Sequence, residues 1–148
     1  MNLSTHFTLD EATTSSTAVR LSINNVPNTE QLTNMVSAAQ QLEQVHNLLN
    51  HAMHIDSWLR VLALNKAVGG AADSAHMDGW AIDFICPEFG TPLAIVNAII
   101  AAGIKFDQCI CEGTWVHISF DPRMRQQVLT AHFIAGQPTT YSKGVVNV

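Results

Sequence analysis

Apolar residues recur three and four positions apart along one long stretch that follows Pro27. They are Leu32, Met35, Val36, Ala39, Leu42, Val45 and Leu49. This spacing gathers them into one stripe of an α-helix, so the pattern predicts a long helix that packs on a sheet. A second helix is predicted from Pro92, because Thr91 is a suitable N-cap, proline suits the first helical position and Gly103 is a stop signal.

Short apolar stretches bounded by turn residues predict strands between and after these helices. They cover residues 52–56, 79–87, 104–111 and 115–120. Glu112, Gly113 and Thr114 separate the last two stretches and predict a hairpin. Helices on one side of a small, mainly antiparallel sheet define the α+β class.

The 148 residues suit a single domain with one core, and we expect residues 1–148 to form it. The turn-rich, polar end of the chain, about residues 133–148, predicts a peripheral hairpin or a loose tail. Residues 58–75 show no helical or strand pattern, and an irregular stretch of that length is often functional.

The charge of the chain argues against several classes of partner. A net charge of −5 with only seven Lys and Arg offers no basic surface for nucleic acid or anionic lipid. No apolar run approaches the roughly 18 residues of a membrane span, and the first residues lack the pattern of a signal peptide. We therefore expect a soluble monomer made in the cytoplasm, with no nucleic-acid or membrane partner.

Three cysteines, Cys86, Cys109 and Cys111, are too few and too odd in number for a disulfide framework. A zinc site built on Cys109 and Cys111 would need a second Cys or His pair at close spacing, and none follows. The interpretation that fits best is three reduced packing residues.

One constellation offers metal chemistry. Catalytic zinc takes His nitrogen and carboxylate oxygen at about 2.0 to 2.2 Å, with three protein ligands and a position left for water. His76 and Asp83 are two candidates, and His117 is the third because it alternates with an apolar row in a neighbouring predicted strand. Small residues Gly79 and Ala81 would leave space for the metal. On spacing alone, a histidine in a strand is more often an ordinary side chain than a ligand, and Asp83 could be a buried carboxylate that accepts hydrogen bonds from backbone amides.

A longer motif changes this balance. Ser74, His76, Gly79, Ala81 and Asp83 occur as Ser-x-His-x-x-Gly-x-Ala-x-Asp, which is similar to the signature of the zinc D-Ala-D-Ala carboxypeptidase family of peptidoglycan peptidases. Three further segments agree with that family in order along the chain. They are LSTHFTLDE near the start, DSWLRVLALNKAVGG with Arg60 and Asn65, and EGTWVHISF with Trp115 and His117.

The resemblance implies a role for each matching residue. His76, Asp83 and His117 would hold Zn²⁺, Arg60 would bind a substrate carboxylate, and Ser74 and Trp115 would contact the substrate.

The catalytic base is where the sequence departs from the family. Many members carry an acidic residue three positions before the last histidine, where this chain has Thr114. We expect Glu112 to be the catalytic base, with Asp107 as the alternative, and a chain that used neither acid would be a binding module.

These expectations describe a zinc peptidase that hydrolyses a bond in bacterial cell-wall stem peptides, of the L-Ala-D-Glu endopeptidase or D-Ala-D-Ala carboxypeptidase type. The absence of a recognisable signal peptide or wall-binding repeat favours a phage lysis enzyme or a peptidase of the phage particle. The main alternative is a non-catalytic, zinc-containing phage module on the same fold. A non-haem iron oxygenase also uses two histidines and a carboxylate, but its carboxylate usually lies two residues from the first histidine, not seven.

Overall fold

The computed structural model describes residues 1–145, and the last three residues of the chain lie outside the described part. The helices are α1 (Leu9–Thr13), α2 (Ser16–Arg20), α3 (Thr29–Leu49), α4 (Leu62–Ala67) and α5 (Pro92–Ala101). The strands are β1 (His54–Ser57), β2 (Ala81–Ile85), β3 (Gln108–Cys111), β4 (Val116–Ser119), β5 (Gln127–His132) and β6 (Thr140–Lys143).

The six strands form one sheet in the order β1-β2-β4-β3-β5-β6. Four of the five pairings are antiparallel, and only β3 and β5 run parallel. The predicted α+β class with a mainly antiparallel sheet is therefore confirmed. The predicted hairpin is also confirmed, because β3 and β4 pair directly across a turn at Gly113 and Thr114.

The two long helices begin and end where local chemistry predicts. Asn28 and Gln31 form a reciprocal capping box at the start of α3, and the Thr91 hydroxyl caps α5 just before Pro92. Gly103 ends α5 with a positive φ of 71°, a backbone conformation that glycine adopts at little cost. Among residues 1–145, no helix is both long and apolar enough to cross a membrane.

The core fills the space between one face of the sheet and the helices α3 and α5. Alternate residues of the central strands point into it, including Ile82 and Phe84 of β2 and Ile118 of β4. All three cysteines are free and buried in this core, as expected for packing residues. Burial raises the pKa of Cys109 to about 12, which keeps its thiol protonated and apolar.

The sequence prediction missed four elements. Helices α1 and α2 occupy the N-terminal stretch, and α4 lies inside the stretch predicted to be irregular. All three have five or six residues, too few to show a helical period. Strand β5 was not predicted either, and it pairs with β6, so the predicted peripheral hairpin is an edge of the main sheet.

Candidate metal centre and cleft

The three proposed metal ligands lie together on the sheet face opposite the helical core. Asp83 of β2 and His117 of β4 are directly paired across the two strands, and His76 comes from the loop that precedes β2. His117 Nδ1 lies 2.8 Å from Asp83 Oδ1, and His76 Nε2 lies 3.3 Å from Asp83 Oδ2. One donor atom from each residue lies within 4.8 Å of the other two, which is the spacing of ligands around a single ion.

The contacts of His76 fit a metal-ligating tautomer. Its Nδ1 lies 2.7 Å from the main-chain carbonyl oxygen of Trp58, so Nδ1 carries the proton and donates it. Nε2 then carries a lone pair, and it faces the Asp83 carboxylate oxygen with no proton between the two atoms. Two acceptors in that position repel each other unless a cation joins them. A histidine that binds a metal through one ring nitrogen usually donates the N–H of the other nitrogen to a carbonyl or carboxylate, as His76 does here.

The electrostatics of Asp83 favour the ionised carboxylate that a metal requires. Burial alone would raise its pKa, but the charges and hydrogen bonds of His76 and His117 outweigh burial and hold the pKa well below its usual range. Burial also lowers the pKa of His76, which favours the neutral imidazole. An anionic carboxylate beside two imidazole rings is a donor set that fits zinc.

Gly79 explains part of the motif in structural terms. It has a φ of 85°, and a Cβ built on it would lie 2.6 Å from Cγ of Met35 and 3.0 Å from the carbonyl oxygen of Gln31. The Trp58 indole donates a hydrogen bond to the Gly79 carbonyl at 2.9 Å. The expectation that Gly79 leaves space for the metal is therefore wrong. Its missing side chain lets the loop pack against α3.

Glu112 lies at the end of β3 on the same face as His117. Its backbone N–H donates to the carbonyl of Trp115, which continues the β3–β4 pairing by one step, so Glu112 and Trp115 face the same side as Ile110 and His117. Glu112 is 8% exposed, and burial raises its pKa. A carboxyl group with a raised pKa beside a candidate metal centre is suited to exchanging protons.

Asp107, the alternative base, has a different environment. Its Oδ1 and Oδ2 each accept a 2.9 Å hydrogen bond from the Arg125 guanidinium, and Oδ1 also accepts one from the Arg125 main chain. It precedes β3, so it lies at the opposite end of that strand from Glu112, about 16 Å away at roughly 3.3 Å per residue. Because side chains alternate between the two faces of a sheet along a strand, Asp107 also lies on the face opposite that of Glu112. This arrangement favours a structural ion pair.

Arg60 and Ser74 lie beside the metal ligands. Arg60 Nη2 donates to Ser74 Oγ at 3.2 Å, and Ser74 Oγ also accepts from the His76 main chain at 3.3 Å. The buried Nε of Arg60 has no acceptor within residues 1–145. An unpaired buried guanidinium N–H is a ready site for an anion. Ser74 uses only its acceptor capacity in these contacts, so its hydroxyl proton is free to donate.

Asn65 and Gly70 shape the loop on the same side of the cleft. The Asn65 amide donates to the carbonyl of Ala71, and the Gly70 N–H donates to the Asn65 carbonyl. A Cβ on Gly70 would lie 2.0 Å from Asn65 Oδ1, so only glycine fits there without a shift. The loop that the sequence predicted to be irregular thus has a defined conformation where it borders the site.

All seven predicted site residues line one cleft of about 610 Å³, a volume typical of ligand sites. Sequence reasoning missed its opposite wall, which comes from the C-terminal part of the chain. That wall and one end of the cleft are formed by Arg123, Arg125, Leu129, Phe133 and Tyr141. No motif marks these residues. They reach the cleft because β5 pairs with β3, a parallel contact that local patterns do not reveal.

Comparison with protein families gives an independent result. A family model described as Peptidase M15 matches residues 5–119, more than three quarters of the chain. The matched range contains the three candidate ligands, Arg60 and Glu112, and it ends before β5 begins. No curated protein matches the chain in a comparison of full sequences.

Proposed function

The chain belongs to the M15 family of peptidases, and we propose that it is a zinc-dependent enzyme that hydrolyses a peptide bond in the stem peptides of bacterial peptidoglycan. The observation that carries this proposal is the combination of His76, Asp83 and His117 with the buried acid Glu112 in one cleft. A purely structural zinc site is usually closed by four protein ligands. Three protein donors that face an open cleft suit catalysis instead.

Each residue of the cleft has a chemical role in this proposal. Zinc, when bound, lowers the pKa of a bound water toward about 7 and polarises the scissile carbonyl. Glu112 takes the proton of the attacking water and returns it to the leaving amine. Arg60 pairs with a substrate carboxylate, Ser74 donates its hydroxyl proton to a substrate carbonyl, and the Trp115 ring packs against the peptide.

We propose that the substrate is the wall peptide because such peptides carry several carboxylates along a short chain. The half-buried guanidinium of Arg60, with its unpaired Nε, recognises one of them beside the metal ligands. Arg123 and Arg125 add positive charge at one end of the cleft. A phage lysis enzyme or a peptidase of the phage particle is the biological setting that this substrate suggests.

The test is digestion of purified peptidoglycan, followed by mass spectrometry of the released fragments. A new amino group on D-Glu identifies an L-Ala-D-Glu endopeptidase, and a freed D-Ala identifies a carboxypeptidase. A protein that retains stoichiometric zinc but releases no fragment would instead be the non-catalytic module.

Glu112→Gln separates the base from the ligands. Loss of a general base typically reduces the rate by roughly 10²- to 10⁴-fold, while the metal remains bound because Glu112 is not a ligand. Glu88→Gln is the matched control, since Glu88 is an exposed glutamate outside the cleft. Asp107→Asn should retain most of the activity. If Asp107→Asn is inactive and Glu112→Gln is not, the assignment of the base is reversed.

A further inference from the structure

A second group of possible metal ligands lies outside the cleft, between the N-terminal loop and α3. It consists of His6 from the loop and Glu43 and His46 from the helix, and we call it the N-terminal cluster. One nitrogen from each histidine and one oxygen of Glu43 all lie within 4.8 Å of one another. Within residues 1–145, only this cluster and the trio in the cleft bring three such donors together.

The distances in the N-terminal cluster match those of the candidate catalytic site. His6 Nδ1 lies 2.7 Å from Glu43 Oε2, as His117 Nδ1 lies 2.8 Å from Asp83 Oδ1. Glu43 and His46 are three positions apart on α3, so both side chains emerge on the same face of the helix. His6 approaches that face from a segment 37 residues away in sequence.

The surroundings of Glu43 suit a metal ligand. Its Oε1 accepts hydrogen bonds from Ser4 Oγ at 2.6 Å and from the His6 main chain at 2.7 Å. Hydrogen bonds to one oxygen of a carboxylate fix the direction of the other, which is how the supporting residues of metal sites orient a ligand. Burial disfavours the charge, but the hydrogen bonds from Ser4 and from the side chain and main chain of His6 together outweigh it and lower the pKa of Glu43, so the carboxylate is ionised at neutral pH.

His46 gives a second, independent indication. Its Nδ1 is buried and has no hydrogen-bond partner in the described part of the chain. Leaving a buried polar atom unpaired costs about 1 to 3 kcal/mol, so native proteins rarely do it without a reason. The His6 ring stacks face to face on the His46 ring at 3.8 Å between centroids, so the two imidazoles are in direct contact.

We propose that the N-terminal cluster binds a second divalent cation of the borderline type, represented by Zn²⁺, with His6, Glu43 and His46 as ligands. Two imidazoles and a carboxylate are donors that zinc accepts, and water supplies the fourth position at the surface. In the structure the two rings are stacked, so binding requires them to turn until their lone pairs converge on the ion. The side chain of His6 is 45% exposed and lies on a loop, so it is the ring with room to move.

The bound ion cross-links two distant segments of the chain. Its ligands come together only in the folded state, so binding stabilises the fold. The neighbouring Phe7 ring packs edge-on against both His46 and Trp58, and the carbonyl of Trp58 orients His76. The second ion therefore anchors the segment that packs behind the candidate catalytic site, without taking part in the reaction.

Zinc content measures this proposal directly. The metal-free protein is loaded with Zn²⁺, dialysed against a weak chelator and analysed for zinc per chain. We expect two zinc ions in the wild type, one in His46→Ala and one in Glu43→Gln. Glu43→Gln retains an oxygen that accepts the Ser4 and His6 hydrogen bonds, and its remaining zinc in the cleft reports that the variant is folded.

His51→Ala is a close control. The His51 side chain is 44% exposed and its Nδ1 lies 3.3 Å from Glu88, but within the described residues this pair has no third donor. It should retain two zinc ions. Glu43→Gln and His46→Ala proteins that hold as many zinc ions as the wild type would overturn the proposal and leave the cluster as a hydrogen-bonded contact.

A further variant separates this site from the catalytic one. His76→Ala should hold one zinc ion, and its thermal midpoint should rise when Zn²⁺ is added. The double variant His76→Ala/Glu43→Gln should hold none and show no such rise. A zinc-dependent rise that persists in the double variant would also contradict the proposal, whatever the activity of the wild type.

Discussion

Arg60 keeps a buried N–H group without an acceptor, although its guanidinium is anchored by Ser74. A protein that leaves such a donor unpaired gives up about 1 to 3 kcal/mol of stability. Burial lowers the pKa of Arg60, with the nearby Asp83 opposing that shift, but an arginine remains charged at neutral pH. Under the proposed function, the group is held in place and charged for a carboxylate of the substrate.

Arg60→Lys should weaken turnover while zinc content and thermal stability stay close to those of the wild type. A lysine keeps the charge but has no planar fork to pair with a carboxylate, so we expect kcat/KM to fall by about tenfold or more. Steady-state kinetics on a purified stem peptide measures this loss. Arg20→Lys, on the surface helix α2, controls for the substitution itself. Unchanged kcat/KM in Arg60→Lys would mean that the carboxylate is bound elsewhere.

At the scale of elements, the loop before β2 depends on Gly79. Gly79→Ala should destabilise the fold by roughly 2 to 4 kcal/mol, because its positive φ disfavours a side chain and the added methyl would lie 2.6 Å from Met35. Gly103→Ala is the matched control, since Gly103 also has a positive φ but has no atom within 4 Å of the added methyl. It should lose only about 1 to 2 kcal/mol. Urea denaturation compares the two, and equal losses would contradict the packing argument.

The β5–β6 hairpin supplies the cleft wall that lies beyond the family match. Phe133 is 54% exposed, lies 6.1 Å from the Trp115 ring and lines the cleft. If a substrate covers it, Phe133→Ala should raise KM by about 5- to 30-fold, since partial burial of an aromatic side chain contributes about 1 to 2 kcal/mol. The value of kcat should change little, because Phe133 does not reach the reacting atoms. Ile134, 61% exposed at the next position, does not line the cleft, so Ile134→Ala should leave KM unchanged.

The sequence was informative where chemistry is local. The histidine and aspartate spacing, the helix caps and the alternation of β4 each follow from a few neighbouring residues. Strand β5, Phe133 and Tyr141 could not be predicted, because their positions depend on a parallel pairing between β3 and β5, whose partners lie 19 positions apart in sequence. The N-terminal cluster was missed for the same reason, since His6 meets Glu43 only after folding.

At the scale of the whole molecule, the sheet separates two environments. One face carries the apolar core, and the other carries the candidate metal ligands and Glu112. The central strands are rigid because both neighbours pair with them and α5 packs on β3 and β4. A site held by paired central strands changes its geometry little, which metal-assisted chemistry requires. The ion pair between Asp107 and Arg125 ties the segment before β5 to the start of β3.

This ion pair should make stability depend on acid pH. Burial alone would raise the pKa of Asp107, but the hydrogen bonds and charge of Arg125 outweigh it and lower the pKa below the ordinary value of 3.8. A carboxylate whose pKa is lowered in the folded state contributes stability that is fully present at pH values above its pKa in the unfolded chain. That contribution is lost as the pH falls through its pKa in the folded protein. The wild type should therefore lose stability below about pH 4.

Asp107→Asn tests the origin of this loss. At pH 7 the free energy of unfolding of this variant should be about 1 to 3 kcal/mol lower than that of the wild type. This is the usual contribution of hydrogen bonds between charged groups. Arg125 is 40% exposed and stays solvated, which keeps the loss below that of a fully buried pair. The gap between the two proteins should narrow as the pH is lowered from 4 toward 2, because protonation removes the same charge in the wild type. Urea titrations at several pH values measure the gap, with the exposed Asp78→Asn as control. A gap that stays constant with pH would show that the Asp107 charge is not what Arg125 stabilises.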